Sequence, residues 1–181
     1  LLGEHDDAKL ADAEVAEAVD TRSSYYREDL CVTGWNVALV VEPSGDTDPV
    51  DVLEFANAQL LELRYHDALL DRDLSRLYDE VASRRGRSLA LLRNYGPVLR
   101  SAMATLMDLA EFVERVENAI KIVGDVYLAR VYANAVESLR IPSWERTVSR
   151  KQQLVREVYD VLKSEVDAAR DQLLERTIIL L

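Results

Sequence analysis

The spacing of hydrophobic positions along this 181-residue chain changes period near residue 48. Before that point, residues 6–20 (DDAKLADAEVAEAVD) combine alanines with early acids, which predicts a short helix capped by Asp6 or Asp7. Residues 30–42 (LCVTGWNVALVVE) are β-branched and aromatic, with Gly34 as an interruption. They predict one strand with a bulge, or two strands joined by a tight turn at Gly34. Strands need partners, so completion of this sheet must come from residues upstream of Leu1, from a second copy of the chain, or from a hairpin within it.

After the loop EPSGDTDP the period becomes helical. Leu53, Ala56, Leu60, Leu63, Leu70, Leu74, Leu77 and Val81 recur at spacings of three and four, and Asp67 fills one seam position. Asp48, Pro49 and Asp51 read as N-cap, first helical residue and early acid, so a helix is expected from there to about Arg85. A second seam of Leu99, Ala102, Leu106, Leu109, Val113, Val116, Ile120, Val123 and Tyr127 starts near Pro97. Its stripe then drifts to Val131, Ala135 and Leu139, as when a supercoil relaxes. Arg140-Ile141-Pro142-Ser143 predicts a turn, and a third seam follows with Val148, Gln152, Val155, Tyr159, Leu162, Val166, Ala169 and Leu173. The expected fold is mainly α. Three long antiparallel, coiled-coil-like helices occupy 48–181, preceded by a small α/β element over 1–47 with one or two strands.

Composition narrows the function classes. Six Gly and four Pro are too few for a many-stranded sandwich or barrel. With 22 Lys+Arg against 33 Asp+Glu the net charge is −11, and no cationic track along the chain suits a phosphate backbone, so nucleic acid is not an expected partner. A single cysteine, Cys31, makes no intrachain disulfide. Eighteen Arg against four Lys lean towards a bacterial source.

Candidate chemistry is sparse. Glu62 and His66 share a helix face at a spacing of four, but a metal site needs three or four ligands, so a solvated or interfacial His beside Asp67 is expected. Ser23, Ser24 and Ser44 lack a nucleophile elbow, and Gly45 belongs to no phosphate loop. No cofactor, metal or catalytic residue is expected. Asp67 in the first seam and Arg130 on the second helix are candidates for an interhelical register pair. Arg84, Arg85, Arg87 and Arg93 form the one basic cluster and are candidates for contact with anionic lipid headgroups. The end of the chain, Leu173 to Leu181, becomes apolar on every face, as where a membrane helix begins.

Residues 124–181 resemble the C-terminal part of the required-for-meiotic-nuclear-division family. The resemblance is carried by Gly124-Asp125 with Arg130, by Pro142-x-Trp144-Glu145, and by Arg170-x-x-Leu173-Leu174-Glu175 before the isoleucines, with Arg176 where that family has Trp. It implies an α/β portion before the helices, a transmembrane anchor after residue 181, and a supporting role without known chemistry. Leu61, Tyr65 and Leu69 lie beside the first seam and would be exposed in a monomer, so the chain itself is an expected partner. The leading expectation is a non-enzymatic, homo-oligomeric scaffold on the cytoplasmic face of a membrane, the bacterial inner membrane by composition. Alternatives are a soluble homodimeric coiled-coil adaptor in the cytoplasm and the cytoplasmic domain of a CorA-like ion transporter.

Overall fold

A computed structural model describes residues 11–82, 91–122 and 125–179. The protein is mainly helical, with a small three-stranded antiparallel sheet ahead of the long helices. In chain order the described elements are α1 (Asp12–Ala18), β1 (Arg22–Ser23), β2 (Leu30–Thr33), β3 (Ala38–Val41), α2 (Asp48–Ala82), α3 (Leu91–Ile122), α4 (Val126–Ser138) and α5 (Ile141–Ile179). At ~1.5 Å per residue, the 35 residues of α2 extend on the order of 50 Å. The chain divides into two compact units, one of Leu1–Leu63 with Arg115–Glu145 and the other of Arg64–Glu114 with Arg146–Leu181.

In the first unit a hairpin within the chain completes the sheet. Gly34 N–H donates to the Val37 carbonyl at 2.7 Å, closing a tight turn that sets Thr33 opposite Ala38 and Cys31 opposite Val40. A Cβ on Gly34 would lie 3.2 Å from that same carbonyl oxygen, so close backbone approach explains the glycine. The third strand, β1, pairs Arg22 with Val32 and Ser23 with Cys31. Two residues are too short to show alternation, which is why this strand was hidden in the polar stretch TRSSYYRED. Asp29 ties the β1–β2 loop by accepting from the Ser24 hydroxyl and the N–H groups of Tyr25 and Tyr26. Burial works against the charged carboxyl, yet these donors hold its pKa below the ordinary value.

The second predicted helix is two helices. Asp125 accepts from the N–H of Tyr127 at 2.6 Å and of Leu128 at 3.2 Å, and so caps a new element, α4. The shift of the stripe to Val131 and Ala135 marks this new helix, not a relaxed supercoil. Tyr127 and Val131 bury against Cys31, with Val40, Val52, Leu53 and Leu128 packed around them. Upstream, α3 begins at Leu91 with Pro97 inside it, earlier than the proline suggested. A proline at that position lacks the N–H of one intrahelical bond, and its ring crowds the carbonyl four residues back. The cap of α2 also differs from the expected Asp48. Thr47 is the N-cap by its carbonyl, which accepts from Val50 and Asp51, while Asp46 Oδ1 accepts the Asp48 N–H. The proposed caps Asp6 and Asp7 lie outside the described residues.

The second unit is built from parts of α2, α3 and α5. Its buried apolar residues are Leu70, Leu74 and Leu77 from α2, Ala102, Leu106, Leu109 and Phe112 from α3, and Val148, Val155 and Leu162 from α5. Asp73 meets Ser101 and Thr105, whereas His66 meets Phe112, so the partners step in opposite directions and α2 runs antiparallel to α3. At its far end the α3 seam turns inward through Phe112, leaving the expected Val113 exposed.

Candidate functional site

Polar side chains inside the second unit link helices to one another. Asp73, 1% exposed, accepts from the Thr105 hydroxyl at 2.6 Å and from the Ser101 hydroxyl at 3.2 Å. Lys151 Nζ on α5 lies 2.7 Å from Asp67 Oδ1 and 2.7 Å from Asp71 Oδ2 on α2. Burial pulls the Lys151 pKa down, but the hydrogen bonds and charges of Asp67 and Asp71 outweigh it and hold the ammonium above the ordinary value. His66 is buried and stacked on Phe112 with ring centroids 5.5 Å apart, with Tyr65 edge-on at 5.6 Å. It is a buried histidine at the contact of α2 with α3, so of the two expectations, solvated or interfacial, the solvated one fails.

In the first unit, the Tyr132 hydroxyl donates to Gln59 Oε1 at 2.6 Å, and Gln59 Nε2 donates to Glu145 Oε1 at 3.3 Å. Burial, followed by the charge of Glu145, raises the Tyr132 pKa and keeps the phenol protonated as a donor. Asn134 on α4 donates to the Thr21 carbonyl at 2.8 Å and to Ser23 Oγ at 3.0 Å, and Ser138 donates to the Thr33 carbonyl at 3.2 Å. The Thr21 hydroxyl donates to that same Thr33 carbonyl. Beside the hairpin turn is a cleft of about 190 Å³, lined by Thr33, Trp35, Asn36, Asn57 and Leu139 among others. Among the described residues the buried Thr33 hydroxyl has no hydrogen-bond partner. The cleft is smaller than the roughly 300–1,000 Å³ usual for ligand pockets and carries no charged group on its walls.

The expected register residues part company. Asp67 does bridge helices, but its cation is Lys151, while Arg130 is exposed on α4 in the first unit. The reason is the break before α4: the stripe carrying Arg130 belongs to a helix that serves the sheet. Glu62 faces Arg115 at 3.9 Å rather than sharing a site with His66. Arg84, Arg85 and Arg87 lie outside the described residues, as does the Arg93 side chain, although its backbone is in α3. Leu180 and Leu181 lie outside them too. Among the described residues no helix is long and apolar enough to cross a membrane. Sequence reasoning missed Lys151, Asp73 and Thr105. Lys151 is one of four lysines and precedes the polar seam residue Gln152, and Asp73 precedes the seam residue Leu74.

Residues 1–47 match the family described as the N-terminal domain of the uncharacterized protein MJ0711. Over 172 residues, 92% of its length, the chain is 20% identical to the uncharacterized protein MJ0711 of Methanocaldococcus jannaschii. It spans about half (51%) of that relative. No solved structure matches the chain. These matches overturn the resemblance to the required-for-meiotic-nuclear-division family: another family matches, and over the sheet region that the resemblance did not cover. Helical periodicity with a few Trp, Glu and Leu positions produced the likeness. The relative is archaeal, so the compositional lean towards a bacterial source gains no support.

Proposed function

We propose that the protein is a non-catalytic helical scaffold that associates with itself through the outer faces of its long helices. The observation that carries this reading is a second set of apolar positions outside the buried seams. Leu61 and Tyr65, four apart on α2, are 68% and 60% exposed, and Met103, Met107, Leu154 and Val161 are exposed on α3 and α5. Helices with an added apolar face gain by covering it against another surface. The buried polar groups support a structural role as well, because Gln59, Asp73 and Thr105 are occupied in joining helices.

A membrane anchor is not part of this reading, since its main support was the overturned resemblance. Light scattering on the 181-residue chain tests the proposal. A mass at a multiple of 20.5 kDa that rises with concentration is the expected result, and a strict monomer throughout the micromolar range would refute it.

A further inference from the structure

Between Arg100 and Glu114, α3 presents a coherent stripe on the side opposite its buried seam. Ala102, Leu106 and Leu109 face the core, while Arg100, Met103, Ala104, Met107, Ala110, Glu111 and Glu114 are exposed. At about 100° per residue, these exposed positions lie within about 60° on either side of Met107. The middle of the stripe is apolar and low in profile. Met103 is 40% and Met107 59% exposed, with two alanines between the ends. One end is basic and the other acidic. Arg100 precedes Met107 by as many residues as Glu114 follows it.

We infer that this stripe joins two copies of the chain, with α3 of one protomer antiparallel to α3 of its partner across a two-fold axis at Met107. The inference rests on the self-association reading and supplies its face, partner and orientation. Under that symmetry Arg100 faces the partner's Glu114, and Glu114 faces the partner's Arg100. Ala104 faces the partner's Ala110, which lets the helix axes approach at the close end of the roughly 8–10 Å range. Met107 meets its own copy on the axis, where a flexible thioether packs readily. Parallel pairing would instead set Arg100 on Arg100 and Glu114 on Glu114, placing like charges together at both ends. The charge pattern thus complements itself in one orientation only. The contact is on the order of 20 Å long, below the scale of a stable interface of roughly 1,200 Å² or more, so a dimer of about micromolar affinity is expected.

Sedimentation equilibrium of the 181-residue chain at low salt reads the affinity directly. Arg100→Glu and Glu114→Arg should each weaken dimerisation about tenfold, and the double swap should restore it. Oxidised glutathione should convert Met107→Cys into disulfide-linked dimers but leave Lys163→Cys, exposed on α5, monomeric on a denaturing gel. The native Cys31 is buried in the first unit. Because all of these positions are exposed, helical circular dichroism should be unchanged in every variant. A wild-type monomer at every concentration overturns both this inference and the reading it rests on. An oligomer indifferent to the charge swaps, with no Met107→Cys linkage, overturns the α3 interface alone.

Discussion

The sheet of the first unit and the helix bundle of the second hold their helices by different chemical means. In the first, four-residue strands offer little area, and α4 covers Cys31 with Tyr127 and Val131 while Asn134 and Ser138 bond to backbone carbonyls beside the strands. In the second, the bonds from one helix to another run from side chain to side chain, as Thr105 and Ser101 to Asp73, while Thr105 also donates to the Ser101 carbonyl within α3. The contrast follows from where free backbone groups are found. The carbonyls of Thr21 and Thr33 need donors, so the polar residues of α4 dock a helix on a sheet. A helix bundle leaves no such carbonyls along its length, and polar residues there select which turn of one helix faces which turn of another.

The largest expected effect tests how far the second unit depends on its seam. Leu70 is fully buried, and Leu70→Ala should cost about 3 kcal/mol in urea unfolding through lost transfer energy and the residual cavity. A loss under about 1 kcal/mol would mean that the helices collapse around the gap and the seam is loosely packed. Next come the polar anchors, compared one against the other. Thr105→Val strips the shorter bond from a fully buried carboxylate and should cost about 2 kcal/mol. Asn134→Ala should cost about 1 kcal/mol, because the bonds lost join uncharged groups, the carbonyl of half-buried Thr21 and the hydroxyl of buried Ser23, and strand no charge. Equal costs would remove the distinction between a register device and a docking bond.

Much of this architecture was legible because the helices are long. Eight seam residues over one helix make the period unmistakable, and Ala56, Leu60, Leu63, Leu70, Leu74 and Leu77 are buried as that period requires. The hairpin at Gly34 was one of the alternatives that the residues allowed, and the close approach of Val37 selects it. What escaped was local. Asp125 as a cap competes in the sequence with an unbroken apolar stripe on either side, and β1 is too short to carry a pattern. The candidate polar pairs were half legible: Asp67 was visible as an acid in an apolar seam, but its partner depends on which helix faces it, and Lys151 sits just off its own seam. Three-dimensional pairing of that kind has no period to betray it.

Lys151 offers a pH test confined to the second unit. Its folded pKa lies above the ordinary lysine value of 10.5, so its contribution is fully present below that value and fades as pH rises through the higher folded one. Lys151→Met should cost about 1 kcal/mol near neutrality, leaving Asp67 and Asp71 without their cation. The gap between wild-type and variant unfolding midpoints should hold steady up to 10.5 and narrow beyond it. A gap that widens with alkalinity would show that the lysine is not held charged by its two carboxylates. A parallel pH series on Asn134→Ala should stay flat, since no titrating group takes part in that bond.

The smallest effect lies at the corner between α4 and α5, in the first unit. Arg140 adopts φ 54°, a left-handed conformation that costs a residue with a Cβ roughly 1 kcal/mol. It is held there because two helices share it. Its N–H donates to Glu137 to finish α4, and its carbonyl accepts from Ser143 and Trp144 to begin α5, while Ile141 beside it is fully buried. Arg140→Gly removes the steric cost and adds freedom to the unfolded chain, a partial cancellation that should leave about 0.5 kcal/mol of net stabilisation. Arg140→Val should instead destabilise by about 1 kcal/mol or more, because a β-branched side chain tolerates that region worst. Urea midpoints of the two variants relative to wild type decide the matter. If glycine weakened the protein, the guanidinium would be making a contribution larger than the strain, and the corner would owe its shape to the side chain rather than to the shared backbone bonds.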